Sequence, residues 1–479
     1  MKLMTIISHS AKLYSMMLRS PQPSDKLASQ YFRSHKYIGS NDRKLISESV
    51  FATLRMRQLA ELCTSLFPVS QSYKHDCLII AAVISIIHNV DYYSSIFGPS
   101  KILGKMLKDE DFDLNEIISQ SLFELEVLTP EQSKSFARVV LEKMAFLDSK
   151  IIKLLDTSDE ITPEQQNLIV SRYSMPLWIL NEWKNCSNYQ RTWKNCCQIA
   201  DSMLFPAPLC LRVNINISET ASVIELLRSS GVNCSQGSIS PSAVIIKQRV
   251  DLSKHQLFTN GIVEVQDEGS QVISAVLAPD KNSSVLDACA GAGGKSLHIA
   301  AIQNDSGKII AADIELKKLK ELNKRANRSG FNSIETILAK NLTKDKSLLN
   351  SFDYVLVDAP CSGSGTFRRS PILKWKINKS LVAKIARKQM RIIHEYSQFV
   401  KPGGILVYST CSILPEENDR VVENFLAESS DFEVSPIKPR LDKLGFSTAW
   451  ISNEDYSLSL TPYEHGCDGF YMARLRKVK

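Results

Sequence analysis

The chain of 479 residues has little of what marks a membrane or secreted protein. Its longest mainly apolar run, Leu78 to Ile87, is far shorter than the ~20 residues that span a bilayer, and it predicts a buried core helix. The segment Met1 to Ser20 contains no apolar block of signal-peptide length. No internal repeat or low-complexity tract is visible. These absences predict a cytoplasmic protein without a membrane segment.

The cysteines also lack a pattern. There are 11 of them, an odd number, and no Cys-x-x-Cys pair occurs anywhere in the chain. This spacing excludes the usual zinc sites, and a reducing compartment predicts free thiols. We therefore expect no metal, and any one cysteine is read as a small buried hydrophobe unless local evidence favours a special role.

Composition is that of an ordinary globular protein, with 44% hydrophobic and 23% charged residues. The formal net charge is +7. A positive balance suits a polyanionic partner, but many basic proteins bind none, so charge alone leaves the partner open.

The chain is long enough for about three domains. We predict a helical domain over residues 1–150, a helical linker and small α+β module over 151–255, and a catalytic domain over 256–479. The first is indicated by apolar residues at helical spacing and ends near the polar segment Asp156 to Pro163. The second has strand patterns at Leu209–Ile217 and Ala243–Ile246.

From about Ser284 onward, strands and helices alternate, which is typical of a doubly wound α/β sheet. A turn is expected at Lys401–Gly404, before the fifth strand. The five predicted strands are Ser284–Ala288, Lys308–Asp313, Ile334–Leu338, Tyr354–Asp358 and Ile405–Ser409. Ligands bind beyond the carboxyl ends of the strands in such sheets.

A glycine-rich loop follows the first of these strands, within Val285–Lys295. Gly291, Gly293 and Gly294 allow a tight turn and a close approach to a ligand. A dinucleotide loop and a ligand-free turn are both alternatives. Asp287 precedes the loop and suits a cationic sulfonium or amino group better than a pyrophosphate. Asp313 ends the next strand, where an acid accepts hydrogen bonds from ribose hydroxyls or caps the following helix.

Two cysteines follow strands that we expect to be neighbours. The segment Asp358–Gly365 contains Cys361, and the segment Ser409–Asn418 contains Cys411. Either cysteine alone is more simply a structural residue. Together, at two loop mouths beside a nucleotide pocket, they favour a function.

These motifs resemble those of the RsmB and NSUN family of RNA 5-methylcytosine methyltransferases. The resemblance extends to Gly261, Val265–Asp267, Ser270–Gln271 and Asp468–Tyr471. Tyr31–Arg33 and Gly39–Arg43 resemble a NusB-like helical domain that the family's bacterial small-subunit rRNA enzymes carry. Pro208–Asn214 resembles the family's small RNA-binding module, of the ferredoxin or RRM type. The catalytic domain is then expected to be Rossmann-like.

The resemblance implies the cofactor S-adenosylmethionine and assigns roles to several residues. Cys411 would be the nucleophile, Cys361 would assist release, and Asp358 and Lys295 would stabilise the charge that builds up on the base. Cofactor contacts are implied for Asp287, Cys289, Ala290, Gly291, Ala292, Gly293, Gly294, Lys295, Asp313, Asn341 and Asp358. RNA contacts are suggested for Arg33, Arg212, Asn214, Arg368 and Arg369.

Four positions depart from the family pattern. Ala292 stands where the family usually has Pro, and Ser296 where it has Thr. Asn341 replaces an Asp that meets the adenine, although an amide oxygen still accepts that hydrogen bond. Ile372 follows Pro371 where the family often has Asp.

The chemistry of cytosine explains why a cysteine is needed. Carbon 5 becomes nucleophilic only after a thiolate adds at carbon 6. The expected substrate is RNA, specifically small-subunit rRNA, and the expected state is a monomer. One alternative is a DNA cytosine methyltransferase in which Cys361 attacks. Another is a non-catalytic RNA-binding or assembly factor on the same scaffold.

Overall fold

The computed structural model describes residues 3–64, 161–186, 191–247 and 250–479, with isolated positions between residues 75 and 155. The predicted core helix Leu78–Ile87, apart from Leu78, and residues 156–160 of the predicted linker lie outside the described residues. The chain forms two compact units. Met1–Pro206 and Phe367–Lys376 form the first, and Ala207–Thr366 and Ile377–Lys479 form the second. The three predicted domain boundaries stay a prediction.

The first unit is helical where it is described. In its first helix the apolar residues Ile6, Leu13 and Met17 recur at helical spacing and are buried, so one face of the helix meets the core. The helices are α1 (Leu3–Arg19), α2 (Ser24–Ser34), α3 (Ser40–Arg55), α4 (Arg57–Thr64), α5 (Pro163–Tyr173), α6 (Leu177–Lys184) and α7 (Trp193–Ser202). A NusB-like architecture for this region stays a prediction.

A ten-residue segment from late in the chain completes this unit, which the sequence analysis did not anticipate. Ile372 is 3% exposed and belongs to the same apolar cluster as α1–α3. The Lys374 ammonium donates to the Arg55 carbonyl at 2.8 Å, and the Trp375 indole donates to the Leu54 carbonyl at 2.7 Å. Both carbonyls lie at the carboxyl end of α3, where helix carbonyls lack intrahelical partners.

The second unit begins with a small antiparallel sheet. Its strands are β1 (Leu209–Val213), β2 (Cys234–Gln236), β3 (Ala243–Ile246) and β4 (Val263–Val265), in the order β2-β3-β1-β4. The helix α8 (Thr220–Ser229) lies between β1 and β2 in the chain, and α9 (Gln256–Thr259) precedes β4. Alternate residues of β1 and β3, such as Leu211 and Val244, join the buried cluster under α8. The α+β character predicted for this module is confirmed.

A larger, mixed sheet follows. Its strands are β5 (Ser284–Asp287), β6 (Lys308–Asp313), β7 (Ile334–Leu338), β8 (Phe352–Asp358), β9 (Val400–Thr410), β10 (Phe432–Val434), β11 (Ser457–Leu460) and β12 (Phe470–Lys477). The order is β10-β12-β9-β8-β5-β6-β7, and β11 pairs with β12. Strands β5 to β9 are parallel, whereas β12 runs antiparallel to β9. The parallel part agrees with the predicted doubly wound sheet.

Helices connect these strands. They are α10 (Glu268–Leu277), α11 (Gly294–Ile302), α12 (Leu316–Arg328), α13 (Ala339–Leu342), α14 (Leu373–Lys376, in the first unit), α15 (Lys379–Ser397), α16 (Asp419–Glu428), α17 (Lys438–Lys443) and α18 (Pro462–His465). In the described part of the chain, no helix is long and apolar enough to cross a membrane.

The turn predicted at Lys401–Gly404 is wrong, because β9 already begins at Val400. The pairing with β8 moves from Phe352–Val400 to Tyr354–Ile405, so extra residues bulge from β9 at this point. Gly403 has φ +80°, a conformation that glycine adopts without strain. The turn residues therefore form an irregularity within the strand rather than a break before it.

Candidate active site

The strand order defines where a ligand crevice opens. From β5 the chain winds through β6 to β7 on one side, and then through β8 to β9 on the other. Ligands bind at such a switch point, beyond the carboxyl ends of the strands. The predicted glycine loop, Cys361 and Cys411 follow β5, β8 and β9, and Asp313 is the last residue of β6.

Backbone conformation shapes the glycine loop. Gly291 and Gly293 have φ of +57° and +87°. A Cβ at Gly291 would meet no described atom within 4 Å, so open space lies beside it. A Cβ at Gly293 would lie 2.4 Å from Leu322 Cγ of α12. Gly293 therefore allows the loop to approach α12, and not the ligand as its position in the motif had suggested.

Three residues that the sequence analysis missed support this loop. Arg325 of α12 donates from Nη1 to the Ala292 carbonyl at 2.7 Å and from Nη2 to Glu264 Oε2 at 2.9 Å. Arg328 pairs with the other oxygen of the same carboxylate. Glu264 lies on β4, far away in the sequence, so no local motif could have revealed the connection.

Asp287 is a buried carboxylate at the end of β5. Its Oδ2 accepts a hydrogen bond from Ser296 Oγ at 2.6 Å, so Ser296 supplies the hydroxyl that Thr would supply in the family. Its Oδ1 has no hydrogen-bond partner among the described residues. Burial raises the pKa of Asp287 to about 6, against the effect of the Ser296 hydrogen bond. A cationic ligand would compensate this charge, so the loop fits a sulfonium cofactor.

Asp313 fixes the glycine loop to β6. Its two carboxylate oxygens accept the Gly291 N–H at 2.9 Å and the Glu315 N–H at 2.8 Å. The Glu315 N–H lies before the first turn of α12, whose N-cap has no side-chain hydrogen bond, so the predicted capping role is wrong. Each oxygen keeps a lone pair for a ribose hydroxyl. The next residue, Ile314, is 77% exposed, and such an apolar surface suits the flat face of a base. Asn341 is exposed on α13, after β7.

A short ion pair links the glycine loop to β8. Lys295 Nζ lies 2.6 Å from Asp358 Oδ2, with side chains 13% and 27% exposed. Burial disfavours the ammonium, but the charge of Asp358 and the hydrogen bond outweigh it and raise the pKa of Lys295. Ser409 Oγ donates to the other Asp358 oxygen at 3.0 Å. Two predicted catalytic groups are thus in contact.

The two predicted cysteines also meet. Cys361 Sγ lies 3.1 Å from Cys411 Sγ. The hydrogen bond with Cys411, together with burial, raises the pKa of Cys361 well above its ordinary value. Either sulfur can be the donor in this contact. Burial likewise raises the pKa of Cys289 in the glycine loop, which is consistent with an unreactive thiol.

The residues suggested for RNA contacts have different surroundings. Arg33 is exposed and Arg369 is partly buried. Arg212, Asn214 and Arg368 are buried. Arg212 donates to Gln266 Oε1 at 2.7 Å, and Asn214 donates to the Ser329 carbonyl at 3.2 Å. Arg212 and Asn214 thus connect elements within the second unit. The RNA contacts of all five residues stay predictions.

The sheet order, the glycine loop and the acids that end β5 and β6 together define the fold of an S-adenosylmethionine-dependent methyltransferase. A family model described as 16S rRNA methyltransferase RsmB/F matches residues 274–476. Another, described as the ferredoxin-like domain of RsmF/B-like methyltransferases, matches residues 175–253.

Relatives agree with these matches. The probable ribosomal RNA small subunit methyltransferase B of Bacillus subtilis is 33% identical over 311 residues, 64% of this chain and 68% of the relative. The corresponding Shewanella oneidensis protein is 31% identical over 325 residues, 67% of this chain and 71% of the relative. A solved methyltransferase homolog from Pyrococcus horikoshii is 26% identical, with a TM-score of 0.55, and covers 66% of this chain and 100% of its own.

The chain therefore belongs to the RsmB/F family of 16S rRNA methyltransferases. It is an rRNA methyltransferase, and its cofactor is S-adenosylmethionine. The predicted resemblance, ferredoxin-like module and cofactor are confirmed.

Proposed function

We propose that this enzyme methylates carbon 5 of a cytosine in small-subunit rRNA, with Cys411 as the nucleophile. One observation carries the proposal: two cysteine sulfurs lie 3.1 Å apart at the carboxyl edge of the sheet. A methyltransferase that acts on an exocyclic amine or a ribose hydroxyl needs no nucleophilic thiol, whereas addition to carbon 6 of a pyrimidine does.

Each of the grouped side chains has a step to perform. The Cys411 thiolate forms a bond to carbon 6, and the electron pair of the 5,6 double bond becomes available at carbon 5. Asp358 accepts a hydrogen bond from the base edge through a free lone pair, and Lys295 offsets the negative charge that addition places on the ring. Once carbon 5 is methylated, its proton passes to water, the electron pair of the C5–H bond re-forms the 5,6 double bond, and the bond to carbon 6 breaks to expel the Cys411 thiolate, with Cys361 assisting this release.

The glycine loop would hold the cofactor, which supplies an electrophilic methyl group. The Asp287 carboxylate and the open space at Gly291 would receive its charged amino acid end. Asp313 would accept the ribose hydroxyls, and Ile314 and Asn341 would border the adenine. Ala292 contributes its carbonyl to Arg325, a role that does not depend on the Pro found in the family.

The DNA-type alternative assigns the attack to Cys361. The raised pKa of the Cys361 thiol disfavours it as the attacking thiolate and supports Cys411. The base must leave its stack to reach either sulfur, and this costs least in single-stranded or loop RNA. A cytoplasmic, monomeric enzyme remains our prediction.

The function is tested by sequencing bisulfite-treated total RNA from cells with and without the gene. We expect one or a few cytosines of small-subunit rRNA to resist conversion only when the gene is present. Purified protein, S-adenosylmethionine and deproteinised small-subunit rRNA should reproduce the same protected positions. An identical bisulfite pattern in the two strains would overturn the cytosine assignment, and methyl transfer to another atom would identify the correct one.

A further inference from the structure

Glu417 is a buried carboxylate that the chemistry above does not use. It ends the short turn Pro415–Glu417, six residues after Cys411, and its side chain is 0% exposed. Among the described residues no Lys, Arg or His forms an ion pair with it. Burial raises the pKa of Glu417, opposed by hydrogen bonds from Ser362 and Ser412. An isolated buried carboxylate is unfavourable, so its hydrogen bonds must hold it in place.

Those hydrogen bonds come from both cysteine loops. The Ser362 N–H donates to Glu417 Oε1 at 2.7 Å, and the Ser362 hydroxyl donates to Oε2. The Ser412 hydroxyl donates to Oε2 at 2.7 Å. Ser362 directly follows Cys361, and Ser412 directly follows Cys411. One carboxylate therefore joins the two chain positions that adjoin the reactive sulfurs.

Neighbouring groups orient this carboxylate. Gln389 of α15 donates from one nitrogen to Glu417 Oε1 at 3.3 Å and to the Pro360 carbonyl at 3.1 Å. The Tyr408 hydroxyl of β9 donates to the Glu417 backbone carbonyl at 2.7 Å. The loops also share a backbone bond from Gly365 N–H to the Cys411 carbonyl at 2.9 Å and a bond from Ile413 N–H to Ser364 Oγ at 3.0 Å. Loss of Glu417 should therefore loosen the pair of loops without separating them.

We propose that Glu417 is a positioning residue that holds the Cys361 and Cys411 loops together and thereby sets the contact between their sulfurs. Its role deepens the proposed function, on which it rests. Attack by Cys411 and release assisted by Cys361 must occur on one base, so the two sulfurs need a fixed separation. A displacement of about 1 Å in such geometry can lower a rate about 10²-fold.

The charge of Glu417 has a second effect. It contributes to the raised pKa of the Cys361 thiol, after the hydrogen bond with Cys411, burial and the charge of Cys411. A negative charge nearby disfavours a thiolate, so Glu417 helps to keep the proton on Cys361. Removal of that charge should make Cys361 easier to ionise.

The variants Glu417→Ala and Glu417→Gln test this, with Glu416→Gln as the matched control. Glu416 is the adjacent carboxylate, but it faces outward and pairs with Arg420. Purified full-length proteins, without RNA or cofactor, are treated with diamide, which takes two electrons and two protons from two thiols to leave a disulfide. Mass spectrometry of peptides then gives the rate of Cys361–Cys411 coupling.

We expect coupling to be about tenfold slower in Glu417→Ala than in wild type and unchanged in Glu416→Gln. In Glu417→Gln, the pH profile for alkylation of Cys361 by iodoacetamide should shift to lower pH. Methyl transfer to deproteinised small-subunit rRNA should lose at least tenfold in kcat with little change in KM. Wild-type coupling, alkylation and kcat in folded Glu417 variants would overturn the proposal.

A variant that does not fold is replaced by a milder one. If Glu417→Ala shows no cooperative melt, Ser362→Ala and Ser412→Ala each remove one hydroxyl donor, and both should slow coupling. Wild-type coupling in both would overturn the proposal. Coupling that depends on Glu417 in an enzyme that forms no 5-methylcytosine would reject the proposed function but support this role of Glu417.

Discussion

The glycine loop and the pair of cysteine loops lie at the same edge of one sheet, but backbone groups stabilise the first and side chains stabilise the second. Backbone groups shape the glycine loop: two positive φ angles, the Gly291 N–H on Asp313, and the Ala292 carbonyl on Arg325. Side chains join the cysteine loops through hydroxyls, a carboxylate and two thiols. Substitutions that add atoms should therefore disturb the glycine loop most, and substitutions that truncate side chains should disturb the cysteine loops most.

The largest effect is expected where the cysteines are truncated. Cys411→Ala should lower methyl transfer by at least about 10⁴-fold and form no covalent RNA adduct, because the nucleophile is gone. In Cys361→Ala, Cys411 should attack normally but the methylated RNA should be released poorly, so a covalent protein–RNA adduct should survive a denaturing gel. Radiolabelled RNA and gel mobility check both. The opposite pattern would show that Cys361 attacks.

The next effect concerns the ion pair between the two regions. Lys295→Met should lower kcat about 10²–10³-fold, because a preorganised charge beside the base is lost. Lys401→Met is a matched control, since Lys401 pairs with Asp353 at 2.9 Å at the opposite end of β8. That variant should keep wild-type kinetics. Equal losses in the two variants would mean that the pair only supports folding.

Substitution by alanine should have different effects at Gly291 and Gly293. Gly293→Ala should destabilise the fold by about 2–4 kcal/mol, because its Cβ would overlap Leu322 and its φ is positive. Gly291→Ala should cost about 1 kcal/mol in stability and weaken S-adenosylmethionine binding roughly tenfold. Thermal melts and calorimetry measure these effects. Unchanged cofactor affinity in Gly291→Ala would place the cofactor elsewhere.

The smallest expected effect is a dependence of cofactor affinity on pH, which Asp287 of the glycine loop should cause. Asp287 has a pKa of about 6 when folded, against 3.8 as its ordinary value, so it is ionised above about pH 6. Affinity for cationic S-adenosylmethionine should fall as pH drops below 6, by at most about tenfold per unit. The unliganded fold should gain stability over the same fall toward pH 4, because the folded chain binds this proton more tightly.

Calorimetry between pH 5 and 8, with Asp287→Asn as the control, measures the cofactor part of this prediction. Asp287→Asn should bind S-adenosylmethionine more weakly at pH 8 and with little dependence on pH. S-adenosylhomocysteine, which keeps the same charged amino acid end, should show the same change in wild type. A flat wild-type profile would remove Asp287 from the cofactor site.

Local sequence patterns predicted much of this edge of the molecule. The strands Lys308–Asp313 and Ile334–Leu338 have the predicted bounds, because apolar runs between polar turns are local signals. The meeting of Cys361 with Cys411 followed from neighbouring strands. Three features could not be predicted: the packing of Gly293 against Leu322, the support of the loop by Arg325, and the hydrogen bonds of Glu417. Each depends on a partner that is distant in the sequence or on the direction of a side chain.

The segment Phe367–Lys376 illustrates the same limit. The predicted boundaries place it in the catalytic domain of residues 256–479, and Ile372 looked like a departure from the family pattern. Its burial in the first unit instead gives Ile372 a packing role. A truncation that begins near Ile161 would remove α1 and α3 and leave the Lys374 and Trp375 side chains without their partners.

This segment also has a consequence for the order of events during synthesis. A ribosome releases the amino-terminal part of a chain first, at roughly 5–20 residues per second. About 170 residues separate Pro206 from Lys376, so the first unit waits roughly 10–35 s for its last piece. Until then its helices present an apolar surface that Ile372 will cover. A nascent chain stalled before Phe367 should therefore be a better chaperone substrate than one stalled after Lys376.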